Sequence, residues 1–193
     1  MLKRTKIVSL LSADKTMPQV LLKGWVRTRR DAKDFSFIEV NDGSCLKNIQ
    51  VIANNNLPNY DEVKKLTTGS SLAVTGALVV SKGGSQKYEV VAENIEIYDL
   101  APDDFPLQKK KHTDEYLRSI AHLRPRTNKY GAAFRIRSEL SYAIHKFFNE
   151  RGFRYVHTPL ITGSDCEGAG EMFQVTTLDI KNPPRLPNGD IDY

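Results

Sequence analysis

The 193-residue chain has few of the residues that build covalent or metal-held scaffolds: two cysteines, Cys45 and Cys166, and four histidines. Two thiols make neither a disulfide framework nor a four-ligand metal site. His112, His122, His145 and His157 show no ligand spacing, so no metal site is expected. A chain of this kind belongs by default to a reducing compartment, and a cytoplasmic location is the expectation. Long apolar runs are also missing. The longest are about five residues, against the roughly 18 needed to span a bilayer, so no membrane segment is expected. The stretch from Met1 to Lys15 is basic, but it has neither the apolar core nor the small-residue cleavage pattern of a secretory signal. With 40% hydrophobic and 26% charged residues, the composition excludes wholesale disorder and collagen-like repeats.

What is present is an uneven charge. The total of 28 Lys and Arg against 23 Asp and Glu leaves a net +5, a weak pull toward anionic partners when spread evenly. It is not spread evenly. Lys23, Arg27, Arg29, Arg30 and Lys33 face only Asp31 in one short stretch. A second basic stretch runs from Lys109 to Arg137, where Asp114 and Glu115 are the only acids. After Ser164 the balance turns acidic. Solvated faces are the ordinary meaning of such clusters, and two surfaces for anionic partners are the functional one.

The first hundred residues read as strands. Runs rich in Val, Ile and aromatics span Gln19 to Arg29, Phe35 to Asn41, Leu46 to Ala53, Ser71 to Val80 and Tyr88 to Tyr98. Turn signals such as Asn41-Asp42-Gly43-Ser44 separate them. Between the third and fourth runs, Asn59 to Leu66 reads as a short helix, with acids first, lysines last and Gly69 as its stop. Five strands with one helix between the third and fourth is the layout of an OB barrel, a fold that binds oligonucleotides on its second and third strands. The pattern alone leaves other small barrels open.

Leu100 to Pro106 is a proline-bounded break, followed by a basic hinge to about Thr127. Helical spacing of Tyr130, Phe134, Leu140, Ile144, Phe147 and Phe148 predicts a helix over Lys129 to Glu150. Phe153 to Val156 and Phe173 to Ile180 read as strands. One helix and two strands cannot easily enclose a core. The domain reading is therefore a barrel at 1–101, a hinge at 102–127 and an incomplete second domain at 128–193.

Single-stranded RNA is gripped by cations on phosphate and by flat side chains under bases. Trp25 to Arg30 and Phe35-Ser36-Phe37 offer both on adjacent strands. Phe35 and Phe37 share one face of a period-two strand. That face is either the barrel interior or a platform for a base, and Phe35 and Trp25 are expected in the core. The Gln50 amide can donate to and accept from a base edge, or it can simply be surface filler.

These residues carry a resemblance. Gly24 to Asp31, Phe37-Ile38, Asp42-Gly43 and Ile49-Gln50-Val51 resemble the anticodon-binding barrel of the aspartyl, asparaginyl and lysyl class II aminoacyl-tRNA synthetases. Arg151 to Ile161 is similar to their motif 1, a long helix and then a strand ending in proline. Glu167-Gly168-Ala169-Gly170-Glu171-Met172-Phe173 is similar to the loop that closes over the amino acid. The hinge pattern His112 to Arg118, with Leu123 to Thr127, resembles the asparaginyl group most. The implied fold is a five-stranded OB-fold barrel, a hinge, and the truncated start of the class II antiparallel-sheet catalytic domain.

The resemblance implies roles residue by residue. Phe37 matches the aromatic that stacks an anticodon base, Gln50 the reader of the central anticodon uridine, and Arg30 a contact to the anticodon loop. Pro159 matches the motif 1 proline at a homodimer interface. Glu167 matches the glutamate beside the substrate ammonium group, a task a carboxylate suits because it accepts hydrogen bonds from a cation. The implied partners are asparagine, its tRNA and a second subunit. ATP and Mg2+ are implied for the full-length protein and none for this stretch, because neither arginine motif that grips the ATP phosphates lies in the sequence. No catalytic residue is assigned, and the 193 residues alone are expected to be inactive. The resulting function is asparagine–tRNA ligation by a longer parent. A non-catalytic tRNA-binding module and a portion of an aspartyl enzyme that charges both tRNAs are the alternatives.

Overall fold

The computed structural model describes residues 2–84, 86–163, 173 and 175–192. They fall into two compact units, residues 1–144 and residues 145–193.

The first unit is built on a closed five-stranded barrel. A short helix α1 (Ile7–Leu11) precedes strands β1 (Met17–Asp31), β2 (Phe35–Asn41) and β3 (Ile49–Asn54). Helix α2 (Tyr60–Val63) then leads to β4 (Ser71–Val80) and β5 (Tyr88–Asp99). The strand order is β1-β2-β3-β5-β4. All neighbours are antiparallel except β3 and β5, which run parallel through Val51 opposite Val90 and Ile52 opposite Val91. β1 is long enough to pair with β4 along its first half and β2 along its second. A register shift between Val26 and Thr28 lets it turn that corner. Gly76 lies at another irregular point, on β4 against β5. A Cβ there would lie 2.0 Å from the Val91 carbonyl oxygen, so the close approach that curves the sheet admits only glycine.

The period of two decides the core. In β2 the buried residues are Ser36, Ile38 and Val40, and in β3 they are Ile49, Val51 and Ala53. Val20, Leu22, Val26, Leu72, Val74, Leu78, Val90 and Ile95 complete the interior, with Ile7 and Leu10 of α1 and Val63 and Leu66 at and just beyond α2 packed into it. At about 25 cal/mol per Å2 of apolar surface, burial of this set is the main stabilising contribution in the chain. The one polar side chain among the β2 core residues is satisfied, since the Ser36 hydroxyl lies 2.7 Å from Asp31 Oδ1 and 3.0 Å from the Tyr60 hydroxyl.

Two core expectations are corrected here. Phe35 is on the outer face, because the inward phase of β2 belongs to Ser36, Ile38 and Val40. Trp25 is 40% exposed, because its neighbour Val26 takes the inward position. Its indole lies under the Arg126 guanidinium instead, 4.7 Å from ring centroid to cation.

α1 was not foreseen from the sequence. Asp42 secures it, accepting from the Ile7 N–H at 3.0 Å and from Arg4 Nη2 at 3.3 Å. Burial pushes the Asp42 carboxyl up, but hydrogen bonds from the Ser44 hydroxyl, the Ile7 and Ser44 amides and Arg4 outweigh it and hold the group below its usual range.

The hinge is ordered and built on the barrel within the same unit. Helix α3 (Asp114–Ser119) starts at Thr113, whose hydroxyl accepts from the Tyr116 N–H. Leu107 and Leu117 are buried, and a 3-10 turn spans Arg124–Arg126. Helix α4 (Asn128–Glu150) follows as expected.

Residues 145–193 hold the largest difference from expectation. Phe153 to Val156 forms no strand, and neither do the described residues from Phe173 to Ile180. The described pairing here is one isolated bridge, Arg185 with Ile191. A strand exists only with a neighbour to bond its backbone, and the described residues supply none.

Candidate nucleic-acid interface

The outer face of β1, β2 and β3 brings together the three residues singled out for RNA contact. Register places Arg30 of β1 opposite Phe37 of β2, and Phe37 opposite Ile52 of β3. One step along, Thr28, Glu39 and Gln50 form the next cross-strand row. Residues directly opposite on paired strands share a face, and diagonal neighbours on it lie within reach of long or aromatic side chains. Arg30, Phe37 and Gln50 therefore occupy one patch.

Phe37 is half-buried. Phe35 meets it edge to face, with ring centroids 4.8 Å apart and planes at 86°. The Arg30 guanidinium lies 5.7 Å from the Phe37 centroid. An aromatic ring braced by a second ring and flanked by a cation is a platform for stacking a base whose phosphate the cation can reach.

The arginines of β1 divide by task. Arg29 is committed internally: Nη1 donates to both Asp31 carboxylate oxygens at 2.9 and 2.8 Å, and Nε donates to the Leu66 carbonyl at 3.0 Å. Arg27 donates to the Arg126 carbonyl at 3.0 Å, joining the barrel to the hinge. Burial is the main cause holding its guanidinium below its ordinary pKa; the Arg126 charge adds to that and Glu39 opposes it. Arg30 is exposed and makes no ion pair among the described residues. It is the arginine of the run left for a ligand.

Gln50 Nε2 donates to Glu89 Oε2 at 3.0 Å. Glu89, on β5, is only 3% exposed and also accepts from the Ser81 hydroxyl at 2.9 Å. Sequence reading missed Glu89. Its signal was a lone acid among the apolar residues of Tyr88-Glu89-Val90-Val91, but its partner lies 39 positions earlier in the chain. Beside Gln50 runs a groove of about 560 Å3, lined in part by Lys47, Asn48 and Lys87.

The other two singled-out residues lie elsewhere. Pro159 is exposed and belongs to the second unit. Glu167 lies outside the described residues. Among the described residues, no group of three or more His, Cys, Asp or Glu is placed to hold a metal ion, and no helix is long and apolar enough to cross a membrane.

Comparison with known proteins bears on the family and the fold. Residues 20–98 match a family described as OB-fold nucleic acid binding domain. Residues 113–184 match the family of tRNA synthetases class II (D, K and N). The chain is 57% identical over 190 residues to the asparagine–tRNA ligase of Nitratidesulfovibrio vulgaris (strain DP4), which covers 98% of this chain and 41% of that protein. It is 55% identical over 195 residues to the asparagine–tRNA ligase of Acetivibrio thermocellus, covering all of this chain and 42% of the relative. Among solved structures, the asparaginyl-tRNA synthetase of Pyrococcus horikoshii complexed with asparaginyl-adenylate shares the fold. Its TM-score is 0.78 at 24% identity, over 93% of this chain and 42% of that one. The chain thus spans about two fifths of the length of the relatives it matches. It belongs to the D, K and N group of class II tRNA synthetases.

Proposed function

We propose that the full-length protein is an asparagine–tRNA ligase, and that this chain recognises the anticodon loop of its tRNA. The relatives' shared name supports the ligase reading, with asparagine and its tRNA as substrates. The observation that carries RNA recognition is the single outer patch on which Arg30, Phe37 and Gln50 meet in register. Phe37 stacks an anticodon base, Arg30 meets the backbone phosphate, and Gln50 reads the central uridine by its base edge. Such division between phosphate contacts that position and base contacts that specify is general in nucleic-acid binding.

Within this reading the barrel domain spans 1–101, the hinge 102–127, and residues 128–193 open the catalytic domain. Pro159 lies at the interface of a homodimer, Glu167 receives the ammonium group of asparagine, and the protein works in the cytoplasm. ATP and Mg2+ serve the ligation reaction. The described residues offer no metal cradle, and their contribution is to bind and orient the RNA.

The test is affinity for the anticodon stem-loop of an asparagine tRNA, measured by fluorescence anisotropy. Phe37→Ala is expected to weaken binding by about 1–3 kcal/mol, the range for base stacking on an aromatic. Unchanged affinity would remove Phe37 from the interface.

A further inference from the structure

We infer that the seam between the barrel and the hinge holds a second ligand site, for a planar aromatic group that carries a negative charge. A cavity of about 410 Å3 opens there, bounded by β1, the loop after β2, the 3-10 turn and the first half of α4. That volume falls within the roughly 300–1,000 Å3 of small-molecule sites. The cavity lies apart from the proposed RNA patch. Trp25, which lines it, pairs with Asn41, whereas Arg30 pairs with Phe37. Asn41 and Phe37 are about 13 Å apart along β2 at roughly 3.3 Å per residue.

Two features set the chemistry of the ligand. The first is the apolar lining. Trp25, Leu46, Pro125 and Phe134 line the cavity, and an aromatic ring lodged among them exchanges water for apolar and ring contact. The second is charge of one sign. Arg27, Arg126 and Arg135 all line the cavity, and no acidic residue does. None of the three makes an ion pair among the described residues. Arg27 donates to the Arg126 carbonyl and Arg135 to the Gly43 carbonyl. A guanidinium has five N–H donors, so most of theirs remain for a ligand. The Arg126 guanidinium lies over the Trp25 ring, 4.7 Å from its centroid. A guanidinium on an aromatic face keeps its N–H groups in its own plane, a fork that fits a carboxylate, sulfonate or phosphate. Collecting these cations has a cost, which Arg27 shows. Burial lowers its pKa most, Glu39 opposes this, and the Arg126 charge lowers it further. An anion in the cavity offsets that cost. A neutral ring satisfies the apolar lining and leaves the charge unmet.

Trp25 is the single tryptophan, so its indole N–H gives one NMR resonance that reports on the cavity. The experiment titrates the 15N-labelled chain with 2-naphthoate and, separately, with the uncharged 2-naphthamide. Naphthoate is expected to shift that resonance saturably and to bind about ten-fold more tightly than naphthamide, the scale of one hydrogen bond to a charged group. Arg126→Met and Arg135→Met are each expected to narrow the preference several-fold by weakening naphthoate. Arg135→Met leaves the contact of Arg126 with Trp25 in place and serves if Arg126→Met does not fold. An asparagine tRNA transcript, added to saturation, separates two sources of such a group. Release of naphthoate assigns the site to a nucleotide of bound RNA, and its retention assigns the site to a free small molecule. An unmoved indole resonance, equal affinity for the two probes, or a preference kept in full by both variants overturns the proposal.

Discussion

The barrel and the stretch 145–193 both carry many apolar side chains and have opposite uses for them. In the barrel, every second residue of β2 and β3 is buried, and Ile38, Val40, Ile49 and Val51 have no exposed surface at all. From 145 onward no described residue is buried. Leu160 is 94% and Phe173 98% exposed, and the aromatic contacts are local, such as Phe148 with Phe153 at 5.5 Å. The difference lies in closure. Five strands that return on themselves give each apolar row a facing row, so the segment carries its own core. A single long helix followed by unpaired chain presents apolar side chains with no facing row among the described residues.

The largest test of this contrast is a pair of truncations. Leu72→Ala, at a fully buried barrel site, is expected to cost about 2–5 kcal/mol in urea unfolding. Leu160→Ala is expected to stay within about 0.5 kcal/mol, as for other surface sites. Equal effects would erase the distinction. Next in size is Gly76→Ala. Its Cβ meets the Val91 carbonyl, so β4 and β5 must separate, and the expected outcome is a loss of about 1–3 kcal/mol through overpacking.

The third test concerns pH. Asp42 is held below its ordinary value of 3.8 in the folded chain. A carboxyl with a depressed folded pKa binds fewer protons folded than unfolded. Its contribution is therefore complete above 3.8 and is lost as pH falls through the lower folded value. Wild type is expected to lose stability below about pH 4 more steeply than Asp42→Asn, and parallel pH profiles would contradict the role given to Asp42. The smallest expected effect is at the hinge. Arg126→Ala should shift the emission of Trp25, the single tryptophan, and cost about 0.5–1 kcal/mol, as for an exposed cation–π pair.

The contrast also explains what could be read in the sequence. Strand spans in the barrel were legible because turn residues bound them and the period of two needs only local information. The phase of β2 was not. Phe35-Ser36-Phe37 offers two large rings against one small hydroxyl, and hydrophobicity alone sends the rings inward. Ser36 takes the interior because Asp31 and Tyr60 satisfy its hydroxyl, a fact of tertiary pairing. The same limit hid Glu89, whose meaning depends on a parallel neighbour, and α1, whose five residues depend on Asp42. Beyond Glu150 the apolar patterns of Phe153 to Val156 and Phe173 to Ile180 were visible, but a pattern becomes a strand only with a partner. Phe37 and Gln50 stand out as candidates from residue chemistry alone, and the resemblance assigns their roles and adds Arg30. What the structure adds is that register puts them on one face, with Arg29 and Arg27 committed elsewhere.

The proposed RNA interface is the outer face of β1, β2 and β3. The most direct measurement places a photoreactive 4-thiouridine at the central position of an asparagine anticodon stem-loop, irradiates the complex with the chain and maps the crosslinked peptide. The expected result is attachment within β2 or β3, around Phe37 or Gln50, and its loss in Phe37→Ala. Attachment confined to the basic hinge or to residues beyond 145 would contradict it.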